Sequence, residues 1–290
     1  MTSTPGVLPL RPLTFGELLD AAVSLLRVAG LRLLAWGGLV ALVEQLVLFP
    51  LRRWADLDLR FLPASDRWSV WGLLLVVGCV TELAAITVLA GRAGSVAPHA
   101  LLGPAAPAPS GRGRRWAGVT VVAAIVATIL GLVSATVFGW PPTYFLLAFL
   151  TVPLWLWCYG SFGLVAPAVV VDQVGPLRAL GRSVVLSSRG FARVLRIRVS
   201  AYLGWLVIRV AWGYGVLSAL ELVWVPQSTT EDAVVISLVY LLVNACGYPA
   251  LACLDVMLHL EARMRTEGLD LALRRSLARG TDPTPVLVRP

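Results

Sequence analysis

The apolar residues of this chain are gathered into six runs, each close to the roughly 20 residues that a helix needs to cross the hydrocarbon core of a bilayer. Tryptophan and tyrosine residues stand at many of the run ends, as they do at membrane–water interfaces. The pattern predicts an all-α fold, a polytopic helical membrane protein with six transmembrane helices. The predicted spans are Leu31–Leu51, Trp68–Ala90, Trp116–Phe138, Tyr144–Ala166, Val199–Leu222 and Ala233–Leu254.

A shorter amphipathic helix is predicted over residues 14–27, before the first span. Thr14 and Glu17 have the spacing of a capping box, in which each side chain accepts a hydrogen bond from a backbone N–H at the start of the helix. Apolar residues then recur at steps of three and four. The segment is too short and too polar to span, so we expect an interfacial helix. The alternative is a helix packed on a soluble partner.

A second interfacial helix is predicted over residues 175–198, directly before the fifth span. It carries six arginines between apolar residues at helical spacing, and a basic amphipathic helix of this kind binds anionic lipid headgroups. The predicted lipid-headgroup contacts are Arg178, Arg182, Arg189, Arg193, Arg196 and Arg198.

The remaining segments connect the spans or follow them. Residues 91–115 are rich in Ala, Pro and Gly and are predicted to form a flexible cytoplasmic linker. The sequence GWPPT at 139–143 predicts a tight turn, and therefore an antiparallel hairpin of the third and fourth spans. Residues 256–278 are predicted to form a cytoplasmic helix, bent or broken near Gly268, that ends a single membrane domain over 1–278. Residues 279–290 are predicted to be a tail.

Composition supports a membrane protein and limits its partners. The chain is 58% hydrophobic and only 14% charged, and its net charge of +8 comes from arginine alone because lysine does not occur. A basic chain can bind nucleic acid, but these arginines lie in short segments between apolar runs, which suits anionic headgroups. We therefore expect membrane lipids as partners, with a membrane-protein partner or a second copy of the chain as further options, and no nucleic acid.

The distribution of arginines predicts how the chain is oriented. Nineteen of the 24 arginines fall in the segments that six spans place on one side of the membrane. The opposite side has Arg52, Arg53, Arg60 and Arg67, which three aspartates offset. Arginine-rich segments stay on the cytoplasmic side. Both termini are therefore predicted to be cytoplasmic, in a multi-pass protein of the cell membrane.

Three ionisable residues lie inside predicted spans, namely Glu44, Glu82 and Arg209. An arginine at mid-depth costs about 2.5–3.5 kcal/mol on insertion scales, so it needs a partner or water. We predict that Arg209 forms an intramembrane pair with Glu82 or with Glu44. Such a pair either lines a proton or substrate path or acts as a structural clip that fixes the order of the helices, and we favour the clip.

Signatures of an enzyme or a metal site are not found in the sequence. It has no P-loop, no dinucleotide fingerprint and no nucleophile elbow. Asp255 and His259 share a helix face with Glu261 nearby, which is either a metal-binding group or, as we prefer, a solvated helix surface. The four cysteines lie in apolar runs and are predicted to be buried thiols. We expect no catalytic residue, no metal and no cofactor.

Three segments of the chain carry motifs of a known kind, in matching order: RPLTFGELLDAAVSLLR at 11–27, VAPAVVVDQVGPLRALGRSVVLSSRGFARVLRI at 165–197 and LDVMLHLEARMRTEGLDLAL at 254–273. Together they resemble polytopic bacterial proteins related to the membrane domain of glycerophosphodiester phosphodiesterases. In those phosphodiesterases the catalytic residues lie in a separate soluble barrel, so the resemblance implies a stand-alone membrane domain and no reaction. The lack of lysine and the abundance of Ala, Val, Leu and Arg indicate an actinobacterial type of source.

The leading functional hypothesis from the sequence is a non-enzymatic integral membrane protein, acting as a scaffold or accessory subunit of a membrane complex. The first alternative is a small transporter-like or permease-like subunit that uses the intramembrane pair of Arg209. The second alternative is a lipid-modifying membrane enzyme. A deep cavity reaching Arg209 would favour transport, and a packed core would favour the scaffold. Polar groups gathered at one leaflet around a lipid-sized groove would favour the enzyme.

Overall fold

The computed structural model describes residues 8–59, 61–103, 106, 112–138, 145–224 and 228–288. Within these residues the chain is helical, with no strand. Six of the helical segments are long and apolar enough to cross a membrane, which confirms the prediction of an all-α polytopic fold. The helices are α1 (Phe15–Ala55), α2 (Trp68–Leu102), α3 (Arg112–Phe138), α4 (Phe145–Phe162), α5 (Val165–Val170), α6 (Pro176–Ser188), α7 (Phe191–Glu221), α8 (Thr229–Glu267), α9 (Leu269–Ala278) and α10 (Thr284–Val288).

The six long helices pack in a closed ring. Around it, α1 contacts α2, α2 contacts α3, α3 contacts α4, α4 contacts α7, α7 contacts α8, and α8 returns to α1. A direct contact of α2 with α8 fills the middle, and the short helices α5 and α6 lie at one end against α2, α3 and α8. We call this end, which carries Arg32, Arg92, Arg182 and Arg263, the arginine-rich end.

Helix α1 begins where the sequence predicted and is then broken at Gly30. The predicted capping box is confirmed, because the backbone N–H of Thr14 donates to Glu17 Oε2 at 2.8 Å and Thr14 accepts from the backbone N–H of Glu17. At Gly30 the backbone has φ 61° and ψ −157°, a conformation that is essentially restricted to glycine. The break separates the amphipathic first part of α1 from the long apolar part that follows.

Helices α1 and α8 approach each other very closely. A Cβ atom at Gly37 would lie 2.4 Å from Pro249 Cγ and 2.6 Å from the carbonyl oxygen of Ala245. These separations are too short for any side chain, so the close crossing of α1 and α8 requires glycine at position 37. Helix α8 continues to Glu267 and breaks at Gly268, whose φ of 66° is left-handed, at the position where the sequence predicted a bend.

Helix α2 is longer than predicted, which corrects the prediction of a linker over 91–115. The first part of that segment continues α2 as far as Leu102. Its small residues Ala93, Ala97 and Ala100 are buried at helical spacing. The face of α2 that carries them therefore packs against the bundle. Apart from Gly103, Ala106 and the first turn of α3, the rest of the segment lies outside the described residues, as does the predicted turn GWPPT.

Two further predicted elements are divided in the structure. The basic segment 175–198 is not one helix, because α6 ends at Ser188 and α7 begins after Gly190. Its last eight residues are therefore the first turns of the long helix α7. The fourth predicted span is similarly divided into α4 and α5.

The predicted tail at 279–290 contains a short helix, which the sequence did not predict. Residues 284–288 form α10, and Leu287 is buried. Arg263 Nη1 donates to the carbonyl oxygen of Leu287 at 2.6 Å. The end of the chain is therefore held against α8.

The break at Gly30 generates a prediction about stability. No atom lies within 4 Å of a Cβ built at Gly30 or at Gly38, so a Gly→Ala change at either position acts through the backbone alone. We expect Gly30→Ala to destabilise the protein by about 1–3 kcal/mol, because alanine does not tolerate this conformation. Gly38→Ala, in regular helix, should be neutral or stabilising by up to about 1 kcal/mol. Thermal unfolding in mild detergent measures both, and equal effects would contradict the assignment of a glycine-dependent break.

Candidate functional site

A cavity of about 750 Å³ lies beside the break in α1. Its wall is formed by α1 around Gly30, by α2 near its end and by the start of α3, with Val170 of α5 completing it. The cavity therefore lies at the arginine-rich end, where the amphipathic part of α1 meets the apolar part. Its size is within the range of protein sites that hold small ligands.

The wall of this cavity is strongly basic. Arg32 follows the break in α1, Arg92 and His99 lie two turns apart on α2, and Arg115 is near the start of α3. None of the sixteen aspartates and glutamates of the chain is among the residues of the wall. Three different helices thus bring three guanidinium groups and one imidazole to a single space. We call the space that these four residues line the basic cavity.

Arg92 is held in place by two indole rings. Its guanidinium carbon lies 4.0 Å from the ring centre of Trp36 on α1 and 3.8 Å from that of Trp116 on α3. Each such cation–π contact is worth about 0.5–2 kcal/mol, depending on how far it is desolvated. The stacking fixes the plane of the guanidinium group and so orients its N–H donors before any ligand binds.

Three apolar residues of the cavity wall are exposed. Leu31 is 83% exposed, and Val28 and Trp36 are exposed beside it. In a membrane, such surfaces face lipid acyl chains rather than water. A helix that restarts after a break also carries partial positive charge at its first backbone N–H groups. The site therefore combines basic residues with exposed apolar ones.

The structure places the sequence-predicted pair in the middle of the bundle. Arg209 Nη1 on α7 lies 2.8 Å from Glu82 Oε2 on α2, and both side chains are largely buried. The guanidinium group also lies 5.1 Å from the ring centre of Tyr240 on α8. Of the two predicted partners, the structure thus brings Glu82, and not Glu44, into contact with Arg209. The basic cavity includes neither of these residues.

Glu44 belongs to a separate set of buried hydrogen bonds. Its carboxylate accepts from Tyr248 Oη at 2.8 Å and from Asn244 Nδ2 at 2.9 Å, both on α8, and from the neighbouring Gln45 Nε2 at 3.1 Å. Gln45 in turn accepts from Arg52 Nη2 at 2.7 Å. Arg52, which the sequence assigned to a loop, is therefore buried within α1. These bonds tie α1 to α8 through the apolar interior.

The six arginines predicted to contact lipid headgroups have different environments. Arg198 is buried, lies against Asp255 at 2.8 Å and donates to the carbonyl oxygen of Tyr159, so the prediction for Arg198 is corrected. Arg182 and Arg193 are engaged with carboxylates of the chain, and their guanidinium groups are mostly covered. The remaining three are exposed and stay candidates for headgroup contact, namely Arg178, Arg189 and Arg196.

Asp172 is the centre of a buried ion cluster at the arginine-rich end. Its carboxylate contacts Arg182, lies 2.8 Å from Arg263 Nη1 and lies 3.0 Å from His259 Nε2. Glu267 lies 2.9 Å from Arg182 and 3.0 Å from Arg263, which closes the cluster. Burial alone raises the pKa of Asp172, but the charges of His259 and Arg263 and the hydrogen bonds from His259 and Arg182 outweigh it and lower that pKa to about 2.

The prediction that Asp255, His259 and Glu261 lie on a solvated helix surface is wrong, because all three are buried. Glu261 pairs with Arg193 at 3.1 Å and with Arg265 on its own helix. A single helix pattern does not reveal that α6, α7 and the chain ends cover this face. Within the described residues no group of three His, Cys, Asp or Glu is arranged to hold a metal.

Two of the four cysteines also match the predicted burial. Cys158 and Cys253 are buried, Cys79 is half-buried and Cys246 is exposed, so the prediction of burial is wrong for Cys246. All four are free thiols.

The residues of the basic cavity were missed as a group by sequence reasoning. Arg92 and His99 were assigned to a flexible linker, Trp36 was not considered, and Trp116 was placed only at the end of a span. A signal was present in the seven-residue spacing of Arg92 and His99, which puts both on one helix face. That signal has meaning only once the linker is known to be helical.

The pair of Arg209 and Glu82 generates a double-mutant prediction. Arg209→Leu and Glu82→Leu should each destabilise the protein by about 3–5 kcal/mol, because each leaves an uncompensated buried charge. The double variant should lose clearly less than the sum. Unfolding in detergent measures the coupling, and Arg67→Leu with Asp66→Leu, an exposed pair at 3.4 Å, is the matched control with little coupling. Strictly additive losses at Arg209 and Glu82 would refute the ion pair.

The ion cluster generates a pH prediction at Asp172, two residues beyond the fourth candidate span. Its pKa is about 2 in the folded protein against an ordinary 3.8. This carboxylate therefore contributes about 2 kcal/mol that is fully present above about pH 4 and is lost as the pH falls towards 2. As the pH is lowered from about 5 to about 3, the unfolding temperature should fall less steeply in Asp172→Asn than in wild type. Asp66→Asn, at an exposed carboxylate, should keep the wild-type slope. An unchanged slope in Asp172→Asn would contradict this role.

Comparison with known proteins gave no match of any of three kinds. No family model matches the chain, and no curated protein and no solved structure matches it. The resemblance to phosphodiesterase membrane domains therefore stays a prediction from three sequence segments. The function has to be argued from the geometry of the chain itself.

Proposed function

We propose that this integral membrane protein binds an anionic lipid in the basic cavity and acts as a non-enzymatic accessory protein of its membrane. The observation that carries the proposal is the composition of the cavity wall. Three arginines and a histidine from three helices surround about 750 Å³, with two tryptophans and no acidic residue in the wall. A concave site with this excess of positive charge is suited to an anion.

The exposed apolar residues of the cavity wall support an amphiphile rather than a water-soluble anion. Leu31, Val28 and Trp36 are exposed, so a ligand with an acyl chain extends over them into the membrane while its headgroup occupies the interior. The break at Gly30 lies where an amphipathic segment turns into a span, which is the depth of lipid headgroups. The headgroup and the acyl chains of a lipid therefore each contact a surface of matching polarity.

The proposed location is the inner leaflet of the cell membrane. The arginine-rich end carries most of the basic residues of the chain, and such ends face the cytoplasm. With this orientation both termini are cytoplasmic. Anionic lipids give the cytoplasmic leaflet its negative surface potential, so the basic cavity would lie where its ligand is abundant.

Binding accounts for the cavity better than catalysis does. A lipid-modifying enzyme needs an activated nucleophile or a general base beside the headgroup. The wall contains Ser95 and His99, but the hydroxyl of Ser95 donates to the carbonyl oxygen of Arg92 at 2.7 Å. A hydroxyl held by the backbone of its own helix is not prepared for attack. We therefore propose an accessory role in a membrane complex rather than an enzyme.

Transport remains a second candidate, favoured by one observation in the middle of the bundle. Three buried polar atoms there lack a hydrogen-bond partner within the described residues: Arg52 Nε, Glu82 Oε1 and Asn244 Oδ1. Buried polar groups are normally satisfied, and orphaned ones in a membrane interior indicate a place for water or a small polar solute. The direct contact of Arg209 with Glu82 favours the structural clip instead.

Lipid binding tests the proposal. In detergent or nanodiscs the protein should bind phosphatidylglycerol more tightly than phosphatidylcholine, measured by native mass spectrometry or by the shift of the unfolding temperature. Arg92→Gln and Arg115→Gln should each weaken binding of phosphatidylglycerol by about tenfold or more, because each removes a charge-assisted donor.

Two control variants locate the effect. Arg53→Gln removes an exposed arginine at the opposite end of α1 and should leave binding unchanged. Arg178→Gln removes an exposed arginine of α6 and should have only a small effect, because surface contacts are screened by salt. Equal losses in Arg53→Gln and Arg92→Gln would overturn the proposal.

A further inference from the structure

We infer that Glu44 is a proton-binding site in the membrane interior, where its side chain is a neutral carboxyl group at neutral pH and releases its proton at higher pH. The hydrogen bonds and the charges around this side chain carry the inference. The proton is taken from water and returned to water, so no other reactant is needed. Glu44 and its partners lie outside the basic cavity, so the proton site is independent of the proposed lipid site.

Glu44 differs from the other buried carboxyl groups of the described chain in the kind of partner it contacts. Each of the other buried carboxyl groups lies against an arginine, namely those of Glu82, Asp172, Asp255 and Glu261. The groups within hydrogen-bond distance of Glu44 are all neutral, and they belong to Tyr248, Asn244, Gln45 and Thr81. A carboxylate in an apolar interior without a cation in contact carries a large desolvation cost, which protonation removes.

The charged groups of the neighbouring helices do not supply the missing cation. Glu82 on α2 acts on Glu44 as a like charge, which disfavours a carboxylate there. Arg209 on α7 attracts a negative charge at Glu44. Its guanidinium group is, however, engaged by Glu82, since Nη1 lies 2.8 Å from Glu82 Oε2. The opposite charges of this pair largely cancel at Glu44.

The arginine on the same helix is also kept away from Glu44. Arg52 lies seven residues further along α1, a rise of about 10 Å. Its Nη2 donates to Gln45 Oε1 at 2.7 Å and its Nη1 donates to Ser237 Oγ at 2.7 Å. The amide of Gln45 therefore stands between Arg52 and Glu44. On α8, the titratable group in contact is the uncharged hydroxyl of Tyr248.

The partners of Glu44 on α8 can satisfy either protonation state. Tyr248 Oη lies 2.8 and 2.9 Å from the two carboxyl oxygens, and a hydroxyl group can donate to a carboxylate or accept from a carboxyl O–H. Asn244 Nδ2 donates to Glu44 Oε2 at 2.9 Å, while Asn244 Oδ1 is buried without a partner in the part of the chain described. Rotation of this amide presents the unpartnered oxygen to a protonated Glu44. Both neighbours can therefore exchange roles when the proton arrives or leaves.

Infrared spectroscopy of the full-length protein, in a detergent without ester groups, tests the inference. A protonated carboxyl group has a C=O stretching band that a carboxylate lacks. We expect this band in wild type at neutral pH, and labelling of the glutamate carboxyl groups with a heavy carbon isotope should shift it. Glu44→Gln should remove the band. Glu261→Gln, at a buried glutamate with two arginine partners, is the matched control and should retain it.

The response to pH shows whether the proton is exchangeable. Raising the pH should reduce the band reversibly, while the unfolding temperature establishes that the protein stays folded. Tyr248→Phe should move this loss to higher pH by about one unit, or about tenfold in proton affinity, because the carboxylate loses a charge-assisted donor. Tyr240→Phe, at a tyrosine of α8 whose ring lies 5.1 Å from the guanidinium carbon of Arg209, should leave the loss where it is in wild type.

Three outcomes would overturn the inference. The first is absence of the band from wild type at neutral pH, and its appearance in Arg52→Gln would then identify Arg52 as the counter-ion of an ionised Glu44. The second is a band that survives in folded Glu44→Gln, because another carboxyl group then holds the proton. The third is a band that stays unchanged until the protein unfolds at high pH. The isotope shift in wild type keeps the test decisive even where a variant does not fold.

Discussion

A guanidinium group that is removed from water needs polar partners, most effectively an anion, and this constraint explains much of the bundle. Desolvation costs several kcal/mol per ion, and a close carboxylate offsets it. Arg209 therefore meets Glu82 in the middle, while Arg198 meets Asp255 and Arg263 meets Asp172 towards the arginine-rich end. Each pair joins two segments that are distant in sequence. The ion pairs thus help to fix the order in which the apolar helices pack, which apolar contacts alone do not specify in lipid.

The same constraint applies to the arginines of the basic cavity. Arg198, Arg209 and Arg263 are accompanied by acidic residues, whereas the wall of this cavity has none. Like charges gathered in one space repel one another, which costs free energy. Trp36 and Trp116 compensate part of this cost by stacking on Arg92.

Sequence reasoning succeeded where a feature depends on one segment and failed where it depends on several. The length of the apolar runs predicts the six long helices, and local chemistry predicts the capping box at Thr14. For Arg209 the sequence reduced the partners to two, but the choice of Glu82 depends on how α2 and α7 are rotated. The burial of His259 likewise depends on which neighbours cover α8.

The basic cavity illustrates the limit most clearly. Its residues come from three segments, and the Ala-, Pro- and Gly-rich composition of 91–115 predicts a linker rather than a helix. The alanines of 91–102 are buried in the structure, so tertiary packing overrides the local preference. The break at Gly30 likewise depends on one residue within an otherwise helical pattern, where an isolated glycine is normally tolerated.

Under the proposed function, two kinds of arginine at the arginine-rich end make two kinds of lipid contact. Arg178 and Arg189 are exposed, and their attraction to a charged membrane surface acts over about 10 Å at 0.1 M salt and distinguishes lipids by net charge only. Arg92 is held between indole rings inside a cavity, so its orientation is settled when the protein folds and little side-chain entropy is lost on binding. Enclosure also lowers the local dielectric, which strengthens each hydrogen bond to a headgroup. Under the proposed function, surface arginines attract any anionic membrane, whereas selection among headgroups requires the cavity, which lies beside the break at Gly30.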